Sequence, residues 1–130
     1  MKKYVFGGLL SCLLAVSAQA QTFNRDVAAG RQTRVGGFAL YSSDTCYAGA
    51  LPEAKITEQP AHGRFELRAE RVTDKAGNCP AMQIYYRTVY YIPNPGFRGQ
   101  DRGSVTFIFN QFSDAPGYVN RTHYYNINVR

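Results

Sequence analysis

The clearest periodicity lies between Arg64 and Glu70. Phe65, Leu67 and Ala69 alternate with Arg64, Glu66, Arg68 and Glu70. Strand side chains point to opposite faces with period two, so this run predicts a half-buried strand with a charged outer face. From Met82 to Ile92 the alternation is different. Ile84, Tyr86, Thr88, Tyr90 and Ile92 share one face; Tyr85, Arg87, Val89 and Tyr91 share the other. Both faces are rich in apolar and aromatic groups, which predicts either a central strand or one with a core face and a tyrosine-rich outer face. Ser104 to Phe112 sets Val105, Phe107 and Phe109 on one side. Arg121 to Arg130 sets His123, Tyr125, Ile127 and Val129 against Thr122, Tyr124, Asn126 and Asn128. Shorter strands are predicted over Thr33 to Ser42, bent or bulged at Gly36-Gly37, and over Lys55 to Thr57. No convincing amphipathic helical pattern occurs. Six or seven strands separated by Gly, Pro, Asn and Asp predict an all-β domain of two packed antiparallel sheets.

The start of the chain reads differently. Lys2 and Lys3 precede an apolar run from about Val5 to Val16, and Ala18-Gln19-Ala20 follows as a small-x-small cleavage signature. That is the layout of a secretory signal peptide over 1–20. The alternative is a lipoprotein signal acylated at Cys12, which the apolar residues beyond Cys12 argue against. The run is shorter than the ~20 residues of a transmembrane span, so no membrane span is expected. The organisation expected is a signal peptide 1–20, a flexible polar leader 21–32 and one domain 33–130. The destination is the periplasm or the extracellular medium.

Cleavage after Ala20 changes the charge. Of 15 basic residues, Lys2 and Lys3 leave, so 13 face 9 acidic residues and the net charge is +4. Eleven of the thirteen are arginines. The excess permits contact with a polyanion without requiring it. Cys46 and Cys79 are the two cysteines left in an exported chain, so a structural disulfide is expected. With no nearby histidine pair they make a poor zinc site.

The segments P-A-H-G-R-F-E-L (Pro60 to Leu67) and Y-Y-I-P-N-P-G-F-R-G-Q-D (Tyr90 to Asp101) carry a resemblance. They are similar to the bacterial immunoglobulin-like, cadherin-like repeat, which reads P-x-H-G followed by Y-x-P-x-x-G-F-x-G-x-D. The resemblance covers about Val35 to Val129. It implies an immunoglobulin-like sandwich with an adhesive or structural habit and no catalytic residues. Three features depart from the family pattern: Arg102-Gly103-Ser104 interrupts the strand after Asp101, the chain holds one copy, and the Cys46–Cys79 pair is unusual. The acidic linkers through which cadherins bind calcium are missing, so no metal or other cofactor is expected.

Within the second segment, Pro95-Gly96 suits the centre of a type II turn, with Phe97 folding back as a plug. Gly99 permits another reversal, and Asp101 can accept hydrogen bonds from backbone amides. Pro60, His62 and Gly63 complete this set of structural turn residues. Truncating Phe97 to alanine is expected to cost about 3 kcal/mol if it is buried.

Candidate chemistry is sparse. His62 and His123 are the only histidines, and no serine sits in a G-x-S-x-G elbow. The best binding signal is the interleaving of tyrosine and arginine at Tyr85, Tyr86, Arg87, Tyr90 and Tyr91. Aromatic faces stack on sugars or bases, and arginine pairs with phosphate or carboxylate. The competing reading is that these rings fill the core and its rim. The candidate binding face is Tyr85, Arg87, Tyr90, Arg64, Arg68, Arg98 and Arg102. The function expected is a non-enzymatic exported module contacting an unknown protein or envelope glycan. The alternatives are an arginine-mediated binder of lipopolysaccharide or nucleic acid and, as a minor one, a small secreted hydrolase. Oligomeric state is not legible.

Overall fold

The computed structural model describes residues 20–110 and 117–130. The expected signal peptide, except Ala20, lies outside the described residues, as does most of the loop from Ser113 to Gly117. Among the described residues there are nine strands: β1 (Ala20–Val27), β2 (Thr33–Ala39), β3 (Tyr41–Ser42), β4 (Tyr47–Ala48), β5 (Glu53–Glu58), β6 (Gly63–Asp74), β7 (Met82–Pro93), β8 (Gly99–Phe109) and β9 (Val119–Val129). One sheet runs β1-β9-β8-β5 and the other β2-β7-β6, while β3 and β4 form a separate hairpin. The two sheets pack face to face as a β-sandwich. Val27, Val105, Phe107, Tyr125 and Ile127 come from the first sheet and Val35, Phe65, Val89 and Tyr91 from the second.

The alternation in the sequence decides which faces meet. Phe65 of β6 turns inward, and Arg64, Glu66, Arg68 and Glu70 lie on the outer face. In β7 the inner face is Val89 and Tyr91, so Tyr86 and Tyr90 face outward beside the charged row of β6. Arg34 and Gly36 flank a register shift in β2. Gly36 is required there because the Tyr125 ring and hydroxyl of the opposite sheet occupy the space of a Cβ.

Three expectations are corrected. Residues 21–32 are not all loose leader: Ala20 to Val27 form β1, which pairs in parallel along the whole of β9. The sandwich is therefore not wholly antiparallel. The inner row of β1 is Phe23, Arg25 and Val27, and the arginine disguises its alternation. Arg25 lies 5.0 Å from the Phe23 ring centroid and donates through Nε to the Val35 carbonyl at 2.8 Å. Finally, β8 begins at Gly99, five residues before the expected start. The Arg102-Gly103-Ser104 interruption is continuous strand. A side chain at Gly103 would strike the Phe65 ring and the Glu58 carbonyl, so glycine lets the opposite sheet approach.

Candidate functional site

The turn residues converge at one end of the sandwich. Phe97 N–H donates to the Asn94 carbonyl at 3.1 Å, closing a turn over Pro95 and Gly96, and Gly96 has φ +81°. That is the type II geometry, with glycine at the left-handed position. Asn94 N–H donates to the His62 carbonyl at 2.9 Å and joins this turn to the one containing Pro60, His62 and Gly63. His62 stacks flat on Phe97, with ring centroids 4.3 Å apart and planes 4° apart. Phe97 is half-buried against the edge of the core, so it plugs the corner only in part. Gly99, at φ +132°, leads into β8.

Asp101 holds this corner together. Its carboxylate accepts from the backbone N–H of Ala61 and of His62, both at 3.1 Å, and of Arg102 at 3.0 Å. The Tyr91 hydroxyl donates to it at 2.7 Å from the other sheet. Burial, together with that bond, holds the Tyr91 phenol well above its usual range. Four donors from the described residues occupy the carboxylate, two on each oxygen.

The candidate binding face does not converge. Arg87 points inward and donates through Nε to the Pro52 carbonyl at 3.0 Å. Tyr90, Arg64 and Arg68 share the outer face of the β2-β7-β6 sheet, where neighbours already occupy them. The Arg68 guanidinium sits 4.0 Å from the Tyr90 ring centroid and 3.0 Å from the Glu66 carboxylate. The Tyr90 hydroxyl donates to Glu70, and chiefly through that bond the Glu70 carboxyl falls below its usual range. Arg34 covers Tyr86 in the same way, 5.6 Å from its centroid. Arg98 lies exposed in the turn, and Arg102 is on the outer face of the other sheet. Tyr91 is core.

His123 is buried in the core. It is packed among the rings of Phe23, Phe38 and Phe107, and its Nε2 has no hydrogen-bond partner among the described residues. Burial, and then the neighbouring Arg121 charge, push its pKa down to about 4. It is a neutral aromatic of the core.

A different cluster forms at the opposite end. β2 ends at Ala39 opposite Tyr86, and Phe38 packs on Phe107 and Phe109 near the end of β8. The β3-β4 hairpin, the loop from β6 to β7 and the start of β9 therefore share one pole. There Tyr85 is 40%, Tyr41 50%, Tyr47 63% and Tyr118 72% exposed. Arg87 reaches Pro52 at the start of β5, so Tyr85, two residues nearer the hairpin tip on the same face, stands past the edge of the facing sheet. Val72 and Val119 are exposed at the same pole. Of the large hydrophobics exposed among the described residues, Tyr124 alone lies elsewhere, on the outer face of β9.

The Cys46–Cys79 disulfide, with Cα atoms 5.4 Å apart, ties the hairpin carrying Tyr41 and Tyr47 to the loop between β6 and β7. Cys79 and Ala76 are buried, and Gly77 lies against Ser43. Tyrosine has few rotatable bonds, so rings on a braced hairpin lose little entropy on contact. Tyr41, Tyr47 and Tyr118 escaped the reading of the sequence because they lie in short, aperiodic segments. The cysteine pair was the available signal, since it brings residues near 46 beside those near 79.

These features define the class: a disulfide-braced, all-β sandwich domain. No family model and no curated protein matches the sequence. Among solved structures it is similar to the solution structure of amebosin, at 12% identity and a TM-score of 0.44, over 86% of this chain and 97% of that one. A likeness so slight carries nothing about function. Among the described residues no helix is long and apolar enough to cross a membrane, and no three His, Cys, Asp or Glu side chains converge to hold a metal ion.

Proposed function

We propose that this chain is an exported, immunoglobulin-like, non-enzymatic binding module that contacts a protein through the tyrosine pole. The observation that carries the reading is the gathering of Tyr41, Tyr47, Tyr85 and Tyr118 on strand ends and loops held together by Cys46–Cys79. Rigid aromatic anchors on a braced scaffold favour protein contact, because binding hot spots are enriched in Trp, Tyr and Arg. The signal-peptide layout, the disulfide and the resemblance around Pro60–Leu67 and Tyr90–Asp101 support export and the immunoglobulin-like assignment. The polyanion reading is weaker, because Arg34, Arg68 and Arg87 are held by Glu70, Glu66 and the Pro52 carbonyl. The hydrolase reading is weaker still, with the Asp101 carboxylate occupied by four donors and His123 enclosed.

Photo-crosslinking in the producing cell tests the proposal. Benzoylphenylalanine placed at Tyr47 or Tyr85 is expected to capture a protein that the same probe at Arg31, exposed at the other end, does not. Equal capture at all three positions, or capture at Arg31 alone, overturns it.

A further inference from the structure

The outer face of the β1-β9-β8-β5 sheet differs in chemistry from the pole. Its rungs run across three strands. Gln100, Asn128 and Asp26 share one rung, Arg102, Asn126 and Asn24 the next, and Ser104, Tyr124 and Thr22 the third. Beside the second rung the sheet and the turn after β5 border an open groove of about 620 Å³, lined by Asn24, Asn126, Gln100, Arg102, Glu58 and His62 among others. That lies within the usual range of small-ligand sites, roughly 300–1,000 Å³.

The amides in this groove are only half used. Gln100 Nε2 donates to Asn128 at 2.9 Å, and Asn126 Nδ2 donates to Asn24 Oδ1 at 3.3 Å. That leaves Gln100 Oε1, Asn126 Oδ1 and the Asn24 amide N–H groups without a partner among the described residues. A carboxamide offers a donor and an acceptor side by side. Adjacent hydroxyls, each donating and accepting, satisfy both. Charge selects further: Arg102 and Glu58 line the groove with opposite signs, and the Asp101 carboxylate is spent on backbone amides and Tyr91. An anion would gain Arg102 and meet Glu58. Aromatic surface borders the polar row. The His62 ring is braced flat against Phe97, and Tyr124, 45% exposed, occupies the rung next to Arg102 and Asn126. Such rings take the C–H face of a sugar while the amides bind its edge.

We propose that this groove is a binding site for an uncharged, hydroxyl-rich oligosaccharide. It uses none of the tyrosines of the pole, so it stands or falls apart from the protein contact proposed above. The test is an NMR titration of the folded domain with cellohexaose and with N-acetylchitohexaose, and a heparin hexasaccharide as the anionic comparison. At least one uncharged hexasaccharide is expected to shift the signals of Asn24, Gln100, Arg102 and Asn126. The affinity should change by less than about twofold between 0.1 and 0.5 M salt, as unscreened hydrogen bonds require. Combining Asn24→Ala with Asn126→Ala removes two neutral hydrogen-bonding partners and should weaken binding by about thirtyfold. If that double variant melts early, Gln100→Ala alone is expected to weaken binding by about fivefold. Binding of heparin only, no shift with any of the sugars, or shifts confined to Tyr47 and Tyr85 overturns the proposal.

Discussion

Replacing Asp101 tests the account of the turn corner most directly. Its carboxylate takes two backbone N–H groups of the turn after β5 and the hydroxyl of Tyr91 from the opposite sheet. Asp101→Ala strands all of them. The Tyr91 hydroxyl is then left in a buried site, where an unsatisfied polar group costs about 1–3 kcal/mol. The two N–H groups lose a charged acceptor and regain partial contact with water, at about 1 kcal/mol each. The expected loss is about 4 kcal/mol, a large part of the 5–15 kcal/mol typical of a domain. Asp101→Asn keeps one oxygen but sets an NH₂ group against His62 N–H, so about 2 kcal/mol is expected. Tyr91→Phe removes only the donor and should cost about 1 kcal/mol. Urea unfolding followed by tyrosine fluorescence measures all three, provided the slope with denaturant is unchanged. The Asp101→Ala and Tyr91→Phe losses should also fall short of additive by about 1 kcal/mol, since both remove one bond. A loss below about 1 kcal/mol for Asp101→Ala, or strict additivity, would refute the claim that this carboxylate ties the sheets together.

Phe97→Ala should cost about 2 kcal/mol in the same unfolding assay, less than a fully buried ring, because Phe97 is half-buried. His123 makes stability depend on pH. Its pKa is about 4 when folded and about 6.5 when unfolded, so the unfolded chain takes up the proton first. Stability is thus fully present above pH 6.5 and falls by about 3 kcal/mol as pH drops toward 4; His123→Leu should flatten that part of a melting-against-pH curve relative to the parent. Replacing Cys46 and Cys79 by serine should cost about 3–4 kcal/mol by the chain-entropy model for a separation of 33 residues, and the Tyr47 crosslink should weaken relative to the disulfide-bonded parent.

How much was visible beforehand depended on how local the cause was. The faces of β6 and the inner row of β9 follow from strict alternation. The turn at Pro95-Gly96 follows from one glycine's backbone freedom. The facing of β7 did not follow, because Tyr86 and Tyr90 suit either side until Arg34 and Arg68 are seen to cover them. Nor did β1, whose polar outer row of Thr22, Asn24 and Asp26 resembles a linker and whose inner Arg25 breaks the apolar pattern. Its partner strand begins about a hundred residues later, beyond the reach of any local pattern. The groove was hidden for the same reason, since Asn24 meets Asn126 only through that pairing.

That pairing also sets an order of events. β1 aligns Ala20 with Thr122 and Val27 with Val129, and the backbone closes again where Ala29 N–H donates to the Arg130 carbonyl at 2.8 Å. Contacts so distant along the chain carry a high loop-closure cost and slow folding. When the chain emerges from its amino end, β1 must wait without its partner until β9 appears. The four-stranded sheet is then completed last at its own first strand.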